Sequence, residues 1–213
     1  MNYLAHLHLA SLAGSSLLGN MMADFIRGNP ADHWPADISG GIRFHRRIDA
    51  FTDTHPDVRL ARSYFRPETY RVSAITLDLI WDHFLSLHWQ QIEQRITLTD
   101  FLQQTQHHLI PQLPATPPAF QKMNHALWQG RWLENYARPD YLEDVLKAMA
   151  RRRPRLHALA DSWQDFITHY DFFETKFWQF YPKLLTFALQ ERTMSVSADW
   201  ASPPLYQHNK RRG

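Results

Sequence analysis

Residues 72–89 form the segment that most limits how this chain can fold. Its periodicity predicts a helix with apolar side chains on almost every side, yet Asp78, Asp82 and His83 sit among Ile75, Leu77, Leu79, Ile80, Trp81, Phe84 and Leu85. A helix of that kind belongs in the middle of a fold, so other helices have to surround it. Spacing of four puts both aspartates on one face, and His83 is turned about 100° from Asp82. Carboxylates buried there are costly unless paired, either with Arg46, Arg47 or Arg71 across helices or with a divalent cation.

Helical periodicity runs through the rest of the chain, and nothing alternates as strands do. The expected fold is all-α, a single-domain helical bundle. Helices are expected over 2–13, from Ser15 or Ser16 to Arg27, over 35–52, from Pro56 to before Pro67, and near 99–110, 119–135, 140–150 and 155–189. Gly28-Asn29-Pro30 gives a stop signal after the second, and Pro111, Pro114, Pro117 and Pro118 mark a connection. One domain over 1–190 is expected. Residues 191–213 lack periodicity, end in Lys210-Arg211-Arg212-Gly213 and read as a disordered basic tail.

Other predicted helices repeat the placement of ionisable groups on apolar faces. His45 and Asp49 are one turn apart and in line with Ile38 and Ile42; His6 lies among Leu4, Leu7 and Leu9, and Asp24 among Met21, Met22, Phe25 and Ile26. For a lone pair such as His45 and Asp49, a simple hydrogen bond would suffice. Four helices each offering His or Asp to one interior favour a metal centre of the kind helical bundles build. Asp53 serves equally well as a ligand or as a cap. The chain has 13 His and no Cys, so ligands would be imidazole and carboxylate, which favours Mn²⁺, Mg²⁺ or Fe²⁺ over structural zinc. The expected metal set is Asp24, His45, Asp49, Asp78, Asp82 and His83, and His6 and His83 are the candidate proton donors.

Several segments together resemble the acyl-carrier-protein phosphodiesterases, a branch of the HD phosphatase superfamily. They are N-Y-L-A-H-L at 2–7, G-N-M-M-A-D-F at 19–25, H-R-R-I-D at 45–49, T-D at 52–53 and D-L-I-W-D-H-F-L at 78–85, followed by R-R-R-P at 151–154, H-Y at 169–170 and F-W-Q-F-Y-P at 177–182. The likeness spans about residues 1–190. It implies an HD-like bundle and Mn²⁺-dependent hydrolysis of the phosphodiester joining 4′-phosphopantetheine to the serine of holo acyl carrier protein, a turnover step of fatty acid biosynthesis. Asp24 matches an essential position of that pattern and His6 matches its A-H-L. The superfamily's His-Asp dipeptide is absent; Asp82-His83 has the reverse order. A nucleotide or other small phosphoester as substrate, and a non-catalytic metal-binding module, stand as the alternatives.

Acyl carrier proteins are acidic, so Arg46, Arg47, Arg62, Arg66, Arg71 and the run Arg151, Arg152, Arg153 are candidates for a docking rim. The run suits equally the C-terminus of the 140–150 helix, whose macrodipole favours cations. A net charge of +2 is too small for a nucleic-acid footprint. Nothing reads as a signal peptide or an apolar run of about 18 residues, and a cytoplasmic protein with no membrane partner is expected.

Overall fold

The computed structural model describes residues 1–195, with side chains described through Glu191. The expected tail thus lies almost wholly outside the described residues. Those residues contain 13 α-helices, short 3-10 turns and no strand, as the periodicity predicts.

Two helices make the centre. Helix α1 (Tyr3–Ala13) is buried on all sides, and α6 (Ser73–Leu87) packs against it with Leu77, Ile80, Trp81, Phe84 and Leu85 at 1% exposure or less. Around α1 lie α2 (Leu17–Met22), α3 (Ala36–Thr54) and the long α13 (Tyr170–Ser195). On the far side of α6, α11 (Pro139–Arg152) and α12 (Leu159–Thr168) pack on each other and on α6. Shorter helices complete the shell: α4 (Pro56–Arg62), α5 (Pro67–Tyr70), α7 (Trp89–Ile92), α8 (Leu98–Leu109), α9 (Pro118–Gln129) and α10 (Trp132–Asn135).

Departures from the predicted elements have local causes. The second helix ends at Met22, and Asp24 sits on a 3-10 turn over Ala23–Phe25 before Gly28 takes a positive φ of 75°. The single helix expected over 155–189 is two, broken at His169, whose N–H donates to Asp165 and Phe166 carbonyls and closes α12. No Gly or Pro marks that corner.

Helices α2 and α3 touch backbone to backbone. A Cβ on Gly19 would stand 2.4 Å from the Ile38 carbonyl oxygen and 2.9 Å from Gly41 Cα, and one on Gly41 would meet Ser16 at 2.8 Å. Only glycine fits at this crossing. His45 follows Gly41 by one turn and Asp24 follows Gly19 by five residues, so the crossing sets how closely these two approach.

Asp82 caps a helix other than its own. Asn2, the N-cap of α1, makes no side-chain cap; the N–H groups of Leu4 and Ala5 donate instead to Asp82 Oδ2 and Oδ1, at 2.8 and 2.9 Å. Orphan donors at a buried helix start are satisfied by a carboxylate reaching across from α6, where the macrodipole also favours its charge. Burial drives the Asp82 pKa up to about 7, against the pull of those two bonds. Asp82, expected among the metal ligands, instead spends both oxygens on α1 and lies outside the cluster formed by His6, His45 and Asp49. Asp82→Ala, which strands two buried donors, should destabilise the fold by about 3 kcal/mol in urea titration. The loss should already be present without Mn²⁺; a deficit that appears only when the ion is present would identify a ligand instead.

Candidate metal centre and cleft

His6, His45 and Asp49 converge from α1 and α3. Among the described residues, they form the cluster whose donor atoms all lie within 4.8 Å of one another. His6 Nε2 is 3.1 Å from Asp49 Oδ1, His45 Nε2 is 3.0 Å from Asp49 Oδ2, and Asp24 Oδ1 lies 3.4 Å from His45 Nε2. The two imidazoles stack with centroids 3.7 Å apart. His45 Nε2 is buried and has no partner in hydrogen-bond geometry despite its near neighbours; the Nδ1 atoms of both rings are likewise unpartnered. His6 Nε2 keeps its hydrogen bond to Asp49, whereas His45 Nε2 approaches two carboxylates without one; metal–ligand bonds of about 2.1 Å likewise give adjacent donor separations of roughly 3 Å. The residues present therefore fit a divalent ion held by His6, His45 and Asp49, with Asp24 as a further carboxylate 3.4 Å from His45.

Charge is divided unequally within the stack. Burial, and then the neighbouring His45, press the His6 pKa down to about 4. Burial works against a charge on His45 too, but the carboxylates of Asp24 and Asp49 outweigh it and lift its pKa to about 9. Two rings in van der Waals contact do not both hold a proton, and the one nearer both carboxylates keeps it. Asp49 is held far below the ordinary carboxylate range: both histidines and the Met1 amine outweigh its burial. That amine lies 3.2 Å from Asp49 Oδ1 and 2.9 Å from Asp78 Oδ1, and despite burial the two carboxylates raise its pKa to about 11. Asp78 thus meets the centre only at its edge.

Not every expected residue joins. His83 is fully buried elsewhere, its Nδ1 2.8 Å from the Tyr136 carbonyl and its Nε2 2.8 Å from the Tyr170 hydroxyl. Both ring nitrogens are used, and burial lowers its pKa to about 4. His83 is therefore corrected from ligand and proton donor to a core link between α6 and the Tyr170 corner. His8, on the other side of α1 from His6, is held 2.8 Å from the Tyr181 hydroxyl and 3.6 Å from Glu93.

The expected docking arginines also separate. Arg46 donates to the Ile26 and Gly28 carbonyls, both at 2.8 Å, and so fixes the turn that presents Asp24. Nothing in the sequence signals this partnership. Arg47 pairs with Glu191, Arg62 donates to Ser73 Oγ at 3.1 Å, Arg66 clamps Asp165 at 2.6 Å, and Arg71 donates to the Arg155 carbonyl at 3.2 Å. Arg151 is exposed at the end of α11.

A cleft of about 670 Å³ opens above the centre. Met1, Asp24 and Asp78 line it together with Arg152 and Arg153. Asp24, with 67% of its side chain exposed, is the carboxylate through which the buried cluster meets the cleft.

Mn²⁺ binding checks the assignment. His6→Ala, His45→Ala and Asp49→Ala should each weaken it by at least about 100-fold in calorimetric titration, more than loss of an outer partner costs. Since His45 carries a proton at pH 7 and a ligating ring cannot, binding should release about one proton, read from the dependence of the heat on buffer ionisation. An equal loss of affinity in His83→Ala would contradict the placement described above.

Comparison with known proteins gives the centre its context. Residues 1–184 match the family model described as acyl carrier protein phosphodiesterase. An acyl carrier protein phosphodiesterase from Klebsiella pneumoniae subsp. pneumoniae is 55% identical over 188 residues, 88% of this chain and 97% of the relative. The protein of the same name from Serratia proteamaculans is 55% identical over 185 residues, 87% of this chain and 96% of its own length. That of Escherichia coli O9:H4 is 53% identical over 185 residues, again 87% and 96%. No solved structure matches the chain. With a family model covering most of its length and relatives aligned nearly end to end, the chain belongs to the acyl carrier protein phosphodiesterase family, whose members are hydrolases of a phosphodiester.

Proposed function

We propose that this protein hydrolyses the phosphodiester between 4′-phosphopantetheine and the serine of holo acyl carrier protein, with Mn²⁺ in the His6, His45, Asp49 and Asp24 centre. The observation that carries the reading is the pair of stacked imidazoles facing two carboxylates beneath an open cleft, in a chain of this family.

When bound, the ion supplies Lewis acidity toward phosphoryl oxygens and makes water a better nucleophile. His6, His45 and Asp49 would hold it, with Asp24, which also lines the cleft, as the further carboxylate beside them. A pKa of about 4 leaves roughly one His6 ring in a thousand protonated at pH 7, so His6 acts as a neutral ligand and not as the proton donor for the departing serine oxygen. Arg46, by holding the Ile26 and Gly28 carbonyls, keeps Asp24 in place. Arg152 and Arg153 stand at the cleft and, with Arg151, draw in the acidic carrier and its anionic diester.

Mass spectrometry of holo-carrier protein incubated with the enzyme and Mn²⁺ provides the test. The carrier should lose the whole phosphopantetheine group, and Asp24→Asn should slow that loss by about 100-fold. An unchanged carrier mass overturns the reading. Turnover should also fall as salt rises, and less steeply once Arg151, Arg152 and Arg153 are replaced by Ala; indifference to both would remove the docking role of the arginines.

A further inference from the structure

One face of α11 lines the cleft over the length of the helix. Tyr141, Asp144, Val145, Ala148, Met149 and Arg152 stand at spacings of three, one, three, one and three, a single stripe about 16 Å long. Ile75 and Leu79 of α6 contribute an apolar wall to the same cleft. A volume of about 670 Å³ falls in the range of roughly 300–1,000 Å³ that small-molecule sites occupy. The shape suits a long, narrow occupant.

Charge orients that occupant. Arg152 and Arg153 line the same cleft as Asp24, so the basic end of the stripe shares its cavity with the carboxylate that borders the metal centre. Tyr141 lies eleven residues up the helix from Arg152, with the Tyr136 ring 6.0 Å away and Trp132 also lining the cleft. Between the two ends the stripe carries one charge, the carboxylate of Asp144, which repels an anionic chain and accepts from an amide N–H. An anion at one end, then a linear uncharged body with N–H donors and some apolar surface, describes the complementary ligand.

We infer that this cleft is the subsite for the prosthetic arm itself: the phosphate lies beside Arg152 and Arg153, and the pantetheine chain runs along α11 toward Tyr141. The assignment rests on the proposed function and deepens it, because it puts recognition of the arm in the enzyme and not solely in contacts with the carrier's protein surface. A flat nucleotide, with the same anionic end, lacks the length to use the whole stripe.

The full-length protein, with no metal added, is titrated calorimetrically with pantetheine, 4′-phosphopantetheine and adenosine monophosphate. Binding of both pantetheine compounds, the phosphorylated one tighter, is expected, and Arg152→Ala/Arg153→Ala should abolish the difference between them. Ala148→Trp, which fills the middle of the stripe, should weaken pantetheine binding by at least tenfold and raise KM for holo-carrier protein by a similar factor at unchanged melting temperature. Val145→Arg serves the same purpose should Ala148→Trp not fold. A folded Ala148→Trp or Val145→Arg protein with wild-type pantetheine binding and wild-type KM overturns the cleft assignment, as does binding of adenosine monophosphate in preference to pantetheine. Failure of the wild-type enzyme to hydrolyse holo-carrier protein overturns the proposed function instead, so the two failures are told apart.

Discussion

Helix α1 is buried on all sides, and the arrangement of the centre follows from that constraint. A helix with no solvent face cannot leave its first N–H groups to water, so they need a partner from inside the protein. Asp82 is that partner. By anchoring the start of α1 to α6, the carboxylate fixes the height at which His6 faces α3 and the place where Met1, Asn2 and Tyr3 line the cleft. The same burial sends His8 to the opposite side, into a polar contact with Tyr181 that takes no part in the centre.

The electrostatics of the centre are those of a site with more negative than positive charge near it. Asp24, Asp49 and Asp78 come together from a 3-10 turn and two helices, and they are balanced by one protonated imidazole and one amine. A divalent ion would supply the missing positive charge while displacing the His45 proton, which is why ion binding and protonation are coupled here. Within the stack the proton sits on His45, and His6, deeper and beside a charged ring, stays neutral.

Backbone proximity does as much for the site as side-chain chemistry. The Gly19 and Gly41 crossing brings the end of α2 against α3, and Arg46 of α3 then reaches back to the turn beyond Asp24. The turn that carries the exposed Asp24 is thus clamped by the helix that carries the buried His45 and the half-buried Asp49. Any larger residue at the crossing would push these two supports apart.

Much of this was legible in the chain. Hydrophobic periodicity determined the all-α class and most helix positions, and ionisable residues on apolar stripes marked His6, Asp24, His45 and Asp49, because burying such groups requires a compensating partner. Periodicity says which face a residue occupies but not what that face meets. Asp82 shares a helix face with Asp78, yet one caps α1 while the other borders the centre; His83 looks like a ligand until Tyr136 and Tyr170 take both its nitrogens. Arg46 and Arg152 are equally plain as surface cations in the sequence, and only packing made one a brace and the other part of a cleft wall. Side-chain type and spacing are local properties carried by the sequence, whereas a partner's identity depends on contacts between segments tens of residues apart, and those exist only once the helices have packed.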